Sequence, residues 1–330
     1  MQSSDEEGEI VYRKPIAKNN IFEYNILNKI GEGTFGIVYL STKGEKSFAL
    51  KKMIFENNQN GLPLTTIREI KVLKSLKHKN IINIIDIVTN KIKDKGNVYE
   101  KYEIFVVFPY VNTDLSRLIR KELIKRDDMK YILLQIIEGL NYLHENNVIH
   151  RDLKSSNILV NDNMEIKIAD FGLARVKSLK NDYTPGVVTL WYRPPEILLG
   201  SSNYDEKIDI WSYGVIAAEI FQGVVMFQGN NEITQLEKII GVLGTINERT
   251  FKNIQSTPYF SKFKLPQAPV RIDYALKGIE SEKIKFVKQI LIIDPEKRPT
   301  TKEILKNVFF KKGLLNRNTM FKRKMADKKY

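Results

Sequence analysis

Apolar and polar residues alternate in short runs through the first third of the chain. Tyr24–Ile30, Ile37–Thr42 and Ser47–Met53 are such runs, separated by glycine-rich or polar turns, and predict three strands. The period then changes: Ile67, Ile70, Leu73 and Leu76 recur every third residue and predict a helix from Thr65 to Leu76. Ile81–Val88 and Tyr102–Phe108 read as two further strands, with the charged stretch Thr89–Lys101 between them as an exposed insertion. Beyond Pro109 the pattern is helical. Met129–Glu145 sets Ile132, Leu133, Ile136, Ile137, Leu140 and Leu143 on one face. Ile208–Phe221 is apolar almost all round, as a helix at the centre of a domain would be. Thr300 and Glu303 have the spacing of a capping box that opens a last helix. Met1–Asn20 is polar and aperiodic and reads as a disordered arm, and the chain from Asn316 is basic and reads as a frayed tail. The predicted class is α+β in two lobes. An arm (1–23) precedes a small β-rich lobe (24–110), a hinge near Pro109–Asn112, a larger α-rich lobe (111–312) and a basic tail (313–330).

At 330 residues the chain can bury one large core or two coupled ones. No apolar run approaches the ~18 residues needed to cross a bilayer. Met1–Glu9 is acidic and polar, so neither a membrane span nor a secretory signal is expected. The lack of cysteine excludes disulfides, thiolate zinc sites and cysteine nucleophiles. Chemistry is left to Asp, Glu, Lys, Asn and Arg, and a nuclear or cytosolic setting fits. The net charge of +14 fits affinity for acidic partners or nucleic acid, but a solvated lysine surface explains it more plainly. The clearest basic cluster, Lys322-Arg323-Lys324 with Lys328-Lys329, suits an import signal or a docking arm.

Gly31, Gly33 and Gly36 lie between two predicted strands, in Gly31-Glu-Gly33-Thr34-Phe35-Gly36-Ile-Val38. Glycines let backbone N–H groups approach phosphate oxygens without interference from Cβ. The same spacing occurs in dinucleotide-binding turns and in plain glycine-rich hairpins. A dinucleotide turn needs a helix directly after the glycines, whereas Ile37–Thr42 reads as a strand, so that alternative fails. Lys51 shares a strand face with Ala49 and is suited to pairing with nucleotide phosphates; the alternative is one more surface lysine. Glu69 is suited to holding Lys51 from the helix, but Thr66-Ile-Arg-Glu69 also matches a capping box, and both readings stand. The decisive segment is Val148-Ile-His150-Arg151-Asp152-Leu-Lys154-Ser-Ser-Asn157-Ile-Leu-Val160, in which two apolar runs flank a loop dense in the polar types that phosphoryl transfer uses. Thirteen positions after Asn157 comes Asp170-Phe171-Gly172, behind the apolar run Ile166–Ala169, and Pro194-Pro195-Glu196 follows. These motifs in this order are the general signature of protein kinases.

From about Tyr24 to Lys312 the chain resembles the protein kinase superfamily, and within it the cyclin-dependent kinases. The resemblance implies the bilobal kinase fold, with ATP and Mg²⁺ as cofactors and transfer of phosphate to serine or threonine. It assigns Asp152 to orient the substrate hydroxyl and take its proton, and Lys154 to neutralise the moving phosphoryl group. Lys51 and Glu69 complete the implied catalytic set. Asn157 and Asp170 are implied as hard oxygen ligands of Mg²⁺. Asp209 would hold the catalytic-loop backbone, and Glu196 with Arg298 would form an ion pair that fixes the large lobe. The implied nucleotide pocket comprises Ile30, Gly31, Gly33, Val38, Ala49, Lys51 and Leu159, with Phe108 as gatekeeper. The carbonyl of Pro109 and the amide of Val111 would face the base, and Asp114 the ribose. Relatives usually carry an acidic residue where Pro109 stands; proline keeps the carbonyl and gives up only an N–H.

Gly61-Leu-Pro-Leu-Thr-Thr-Ile-Arg68-Glu69-Ile resembles the cyclin-contacting helix of this family, and most of all that of the transcriptional branch acting on the RNA polymerase II C-terminal repeats. Tyr183-Thr184-Pro185-Gly-Val187-Val188-Thr189-Leu-Trp191-Tyr192-Arg193, Phe227-Gln-Gly-Asn-Asn-Glu232 and the insertion Thr89–Lys101 carry the same resemblance. The implied partners are a cyclin, an activating kinase and a protein substrate with Ser-Pro or Thr-Pro sites; no membrane and no direct nucleic-acid contact is expected. Thr184 would be the activating phosphosite, read by Arg68, Arg151 and Arg175. Val188 and Arg193 would form the substrate proline pocket. In the family the residue matching Val188 turns its carbonyl away, so a substrate N–H there would lack a partner at a cost of about 1–3 kcal/mol, and proline has none. Phe35 stands where cell-cycle relatives carry an inhibitory tyrosine, which excludes that control. A nuclear location follows from the transcriptional resemblance. The alternatives are a cell-cycle cyclin-dependent kinase and, more remotely, a pseudokinase scaffold, which the full set of catalytic residues argues against.

Overall fold

The computed structural model describes residues 19–33, 36–53, 70, 74–92, 101–177 and 189–311. The chain divides into two compact units, Met1–Leu64 with Asn83–Tyr110, and Thr65–Ile82 with Val111–Tyr330.

The first unit is built on a six-stranded sheet of β1 (Asn19–Asn20), β2 (Asn25–Gly33), β3 (Gly36–Lys43), β4 (Lys46–Met53), β5 (Asp86–Ile92) and β6 (Lys101–Pro109). Their order is β1-β5-β6-β4-β3-β2, antiparallel except for β1 on β5. Alternation along the strands sends Leu50, Val88, Phe105 and Val107 into one core, which Ile21 and Tyr24 close, with Tyr24 edge-on to Phe48. Asn19–Glu23 are thus not part of a disordered arm: they form β1 and a short 3-10 turn. Burying a side chain the size of Ile21 contributes about 1.5–3 kcal/mol, enough to offset the ordering of a residue or two.

Two other expectations need correction. The run Ile81–Val88 is not one strand. Ile82 N donates to Ile168 O and Ile168 N to Asn80 O, which ties this stretch into the second unit, and the strand proper begins at Asp86. Strand β5 then continues through Ile92, paired with Lys101–Ile104, so both arms of the expected exposed insertion are sheet. The helix from Thr65 to Leu76 falls mostly outside the described residues; Ile70, Lys74 and Ser75 are helical and Leu76 is not.

The second unit is mainly helical. It includes β7 (Thr113–Asp114), α1 (Leu115–Arg120), α2 (Arg126–Glu145), β8 (Val148–Ile149), β9 (Ile158–Val160), β10 (Ile166–Ile168) and β11 (Arg175–Val176). Then come α3 (Pro195–Leu198), α4 (Lys207–Gln222), α5 (Glu232–Leu243), α6 (Ile272–Ala275), α7 (Ser281–Ile290), α8 (Thr301–Leu305) and α9 (Val308–Lys311). Helix α2 buries the apolar face that its period predicts. Every residue of α4 from Ile208 to Phe221 is buried, which explains its lack of a polar face, and Gly223 ends it in a left-handed turn at φ 82°. The Thr300–Glu303 capping box opens α8 with both reciprocal bonds formed. Among the described residues no helix is long and apolar enough to cross a membrane.

Candidate active site

In the first unit the strand register collects most of the residues expected around a nucleotide. Gly31 faces Val38, Val38 faces Lys51 and Lys51 faces Val106; one pair along, Leu40 faces Ala49 and Ala49 faces Phe108. Cross-strand partners share a face, so Gly31, Val38, Ala49, Lys51 and Phe108 lie on one side of the sheet, and Leu50 is fully buried on the other. Ile30 sits where the β2–β3 register slips, between the pairs of Lys29 and Gly31. Gly36 admits no side chain, because a Cβ there would lie 2.2 Å from the Lys52 carbonyl oxygen. Thr34 and Phe35 lie outside the described residues, as do Arg68, Glu69, Thr184 and Val188.

In the second unit the loop between β8 and β9 holds Asp152, buried to within 7% exposure. Its Oδ1 accepts from Thr189 N at 3.0 Å and Thr189 Oγ1 at 2.8 Å. Its Oδ2 accepts from Lys154 Nζ at 2.8 Å and Asn157 Nδ2 at 3.2 Å. Lys154 also reaches Thr189 Oγ1 at 2.9 Å, so lysine, aspartate and threonine form a closed set. A carboxylate held on both oxygens keeps a fixed orientation, which is what a group that must meet an incoming hydroxyl needs. Thr189 was in the sequence motif, but its part in holding Asp152 was not foreseen.

Asn157 and Asp170 are brought together by the β9–β10 pairing of Ile158 with Ile168, and by Ala169 N donating to Asn157 O at 2.9 Å. The side-chain N–H groups of Asn157 go to Asp152 O at 2.8 Å and Asp152 Oδ2, which leaves its amide oxygen for a cation. One amide oxygen and one carboxylate suit Mg²⁺, a hard ion that keeps water and substrate phosphates in its shell. Among the described residues no cluster of three or more His, Cys, Asp or Glu is placed to hold a metal, so an ion here would need those further oxygens. Arg151 and Asp170 both take positive φ, 65° and 60°, a strained conformation that neighbouring bonds must maintain.

Those bonds come from buried polar groups. Asp209, in the first turn of α4, accepts from His150 N at 2.9 Å, Arg151 N at 3.0 Å and His144 Nε2 at 2.9 Å. Burial pushes its pKa up, but the His144 bond, the electrostatic pull of His144 and His150 and the His150 backbone N–H outweigh this and hold it below the usual carboxylate range. The anchoring role expected of Asp209 is therefore met, with His144 as a partner the sequence did not single out. His150 bonds Ala169 O at 3.0 Å through Nε2 and stands edge-on to Phe171, joining the two motifs. The Arg151 side chain bonds Leu173 O at 2.6 Å and Tyr204 Oη at 2.9 Å, and β11 sets Arg175 opposite Ile149. Glu196 and Arg298 form the expected ion pair, at 2.5 and 2.7 Å. Arg298 also donates to Ile292 O, Ile293 O and Lys207 O, which uses all five of its N–H groups.

Three further residues behave in ways the sequence did not announce. The Asp114 carboxylate caps α1 by accepting from Arg117 N at 3.0 Å and pairs with Arg117 Nε at 3.0 Å. Arg193 pairs with Glu232 at 3.0 Å, and Trp191, 40% exposed beside it, bonds Gly229 O at 2.9 Å. Val111 and Leu159 are half-buried in the second unit, and Pro109 ends β6 opposite Phe48.

Comparison with known proteins agrees with this geometry. The family model for the protein kinase domain matches residues 24–310. A probable CTD kinase subunit alpha homolog from Encephalitozoon cuniculi is 42% identical over 305 residues, covering 92% of this chain and 89% of the relative. Cyclin-dependent kinase 9-B of Xenopus laevis is 38% identical over 306 residues, covering 88% and 81%. Among solved structures, a chain of the yeast RNA Pol II CTD kinase CTDK-1 complex superposes with a TM-score of 0.77 at 31% identity, covering 92% of this chain and 97% of that one.

Proposed function

This chain belongs to the protein kinase family, and within it to the cyclin-dependent kinases similar to the transcriptional branch; we propose that it is the catalytic subunit of a cyclin-bound kinase acting on Ser-Pro and Thr-Pro sites of the RNA polymerase II C-terminal repeats. It is a serine/threonine protein kinase, and the family uses ATP with a divalent metal. The phosphoryl-transfer reading is supported by one observation above all: Asp152 is held on both oxygens by Lys154, Asn157 and Thr189, beside the oxygen pair of Asn157 and Asp170. The substrate assignment is supported by relatives whose names record CTD kinase activity.

In this reading 24–110 and 111–312 act as the two lobes, less the stretch 65–82. Asp152 orients the substrate hydroxyl and accepts its proton. Lys154 then meets the charge on the transferred group, Lys51 neutralises nucleotide phosphate, and Glu69 completes the catalytic set. Mg²⁺, when bound, supplies positive charge across the phosphates, and Asn157 and Asp170 are the residues that hold it. For the adenine the first unit offers Ile30, Gly31, Gly33, Val38, Ala49, Phe108 and Pro109 O, and the second unit offers Leu159 and Val111 N. Asp114 turns to the ribose only by giving up part of its hold on Arg117. Phosphate on Thr184 is read by Arg68, Arg151 and Arg175 after action of an activating kinase. Val188 and Arg193 select proline after the phosphoacceptor, with Glu232 fixing the guanidinium. The protein works in the nucleus.

The test is phosphate transfer from Mg·ATP by the chain purified with its co-purifying partners, with Asp152→Asn as blank. A Tyr-Ser-Pro-Thr-Ser-Pro-Ser repeat peptide is expected to outrun a Ser-Pro-x-Lys peptide, and Ser-Ala versions of both to be poor substrates. Preference for Ser-Pro-x-Lys would instead assign a cell-cycle substrate.

A further inference from the structure

Ser155, Tyr192 and Glu219 come from three separate elements and meet in a closed triangle. Ser155 lies in the catalytic loop directly after Lys154, Tyr192 follows Thr189 and Trp191, and Glu219 lies in the last turn of α4. Ser155 Oγ to Glu219 Oε1 is 2.9 Å, Tyr192 Oη to Glu219 Oε2 is 2.8 Å, and Ser155 Oγ to Tyr192 Oη is 3.0 Å. All three residues are buried, at 1%, 5% and 4% exposure.

Three oxygen–oxygen contacts at these distances need three protons, and the two hydroxyls supply two. If Glu219 were ionised, both hydroxyl protons would go to it, and Ser155 Oγ would face Tyr192 Oη with nothing between them. With the carboxyl protonated, each residue donates once and accepts once around the ring, in either sense. We propose that Glu219 is a positioning residue for phosphoryl transfer that works as the neutral acid, its proton closing a ring that locks the catalytic loop to the segment carrying Thr189.

The surroundings agree. A buried carboxylate stays charged when a cation or several N–H donors face it. The cations nearest along the three elements are committed elsewhere: Lys154 to Asp152 and Thr189, Arg193 to Glu232, and Lys207 to Arg298 O. On α7, packed against α4, Lys283 lies over the Phe221 ring and pairs with Glu280. The C-terminal end of α4 adds partial negative charge, which disfavours an anion. Burial raises the pKa of Glu219, and the Tyr192 and Ser155 bonds offset only part of that rise. Tyr192 is pushed up as well, chiefly by burial, so it remains a donor.

The inference rests on the assignment of Asp152 and Thr189 given above, and its test separates the two. Infrared difference spectra of the purified complex, wild type against Glu219→Gln, are expected to show a protonated-carboxyl band at neutral pH that the variant lacks. In kinase assays Glu219→Ala should raise peptide KM or lower kcat on the order of tenfold, the scale of a misplaced positioning group. Glu219→Gln, whose amide can donate and accept around the same ring, should recover most of that loss. No carboxyl band at neutral pH, or Glu219→Gln as impaired as Glu219→Ala, would overturn the proposal. If Glu219→Ala does not fold, thermal melts of wild type and Glu219→Gln decide: the variant's advantage should widen as pH rises from 5.5 to 8.5, and a constant difference counts against the ring. Failure of the wild type to transfer phosphate would overturn the function while leaving the infrared result intact.

Discussion

Asp209 and Glu219 stand at opposite ends of helix α4, both shut off from water, and their surroundings differ in every respect that sets charge. Asp209 lies in the first turn, where the helix dipole favours an anion, and three N–H groups point at it, one from a histidine ring and two from the backbone. Glu219 lies in the last turn, where the dipole is reversed, and among the described residues it bonds two hydroxyls. Burial raises both pKa values, yet Asp209 ends below and Glu219 above the ordinary range. The lesson is that burial does not fix the charge of a carboxyl; the kind and number of its donors do. One helix thus grips the catalytic loop twice, with an ion at His150–Arg151 and a neutral acid at Ser155.

The largest expected effect is at the ionic end. Asp209→Asn places an amide against two backbone N–H groups and His144, leaving donors facing a donor. Losing one side of a buried charged network costs about 3–5 kcal/mol. Denaturant titration should show that loss, and kcat should fall on the order of 100-fold or more as His150 and Arg151, directly before Asp152, lose their backbone anchor. Near-normal activity in Asp209→Asn would mean that the ionic grip is dispensable. Arg298→Leu comes next, because it strips Glu196 of the one cation facing it among the described residues and tests a buried carboxylate with no other donors of comparable strength. The loss should again approach about 3 kcal/mol. Since Arg298 does not touch the catalytic loop, the folded fraction should keep most of its kcat. Equal losses of stability and kcat would break the distinction between the two sites.

The ionic end was open to sequence reading and the neutral end was not. Asp209 sits in a run whose apolar character on all sides marks a central helix, so a charge there needs a partner. The resemblance to protein kinases assigned that charge to the catalytic-loop backbone and paired Glu196 with Arg298, while strand alternation alone set Ala49 and Lys51 on one face. Glu219 gave no such signal. Its partners, Ser155 and Tyr192, carry one hydroxyl each and lie 64 and 27 positions away, and neither residue type announces a buried contact. Asn19–Glu23 escaped notice because a two-residue strand has no period to detect. Ile81–Ile85 misled because an apolar run looks like a strand, whereas pairing depends on a neighbour, and Ile82 finds its partner at Ile168. His144 stayed hidden for a similar reason: nothing along the chain links it to Asp209.

Stability against pH offers a third way to sharpen the contrast. Asp209 has a lowered pKa in the folded state, so its stabilisation is complete above the unfolded carboxylate value, near 4, and is lost as pH falls through the folded value. Glu219 has a raised one. The folded state holds its proton while the unfolded state releases it, so stability falls as pH climbs from the unfolded value towards the folded one. Each contributes a slope of up to about 1.4 kcal/mol per pH unit within its window. Melts of the complex should lose an acid limb in Asp209→Asn and gain stability at higher pH in Glu219→Gln. Parallel shifts in both variants would argue that the two ends titrate alike.

The smallest expected effect is Ser155→Ala, which removes one corner of the neutral ring. The hydroxyl is buried and uncharged, so its loss should cost about 1–2 kcal/mol, at the lower end of unsatisfied buried groups, because Tyr192 and Glu219 can still bond each other. Its consequence for chemistry is more specific. Ser155 adjoins Lys154, which bridges Asp152 and Thr189, and a loosened Ser155 should let that bridge wander. The expected result is a peptide KM raised several-fold with ATP KM unchanged, measured on the same complex. A double variant with Glu219→Gln should cost less than the sum of the two singles, since both disturb one ring. Strict additivity would show that Ser155 and Glu219 act separately, and would reduce the neutral end of α4 to ordinary core packing.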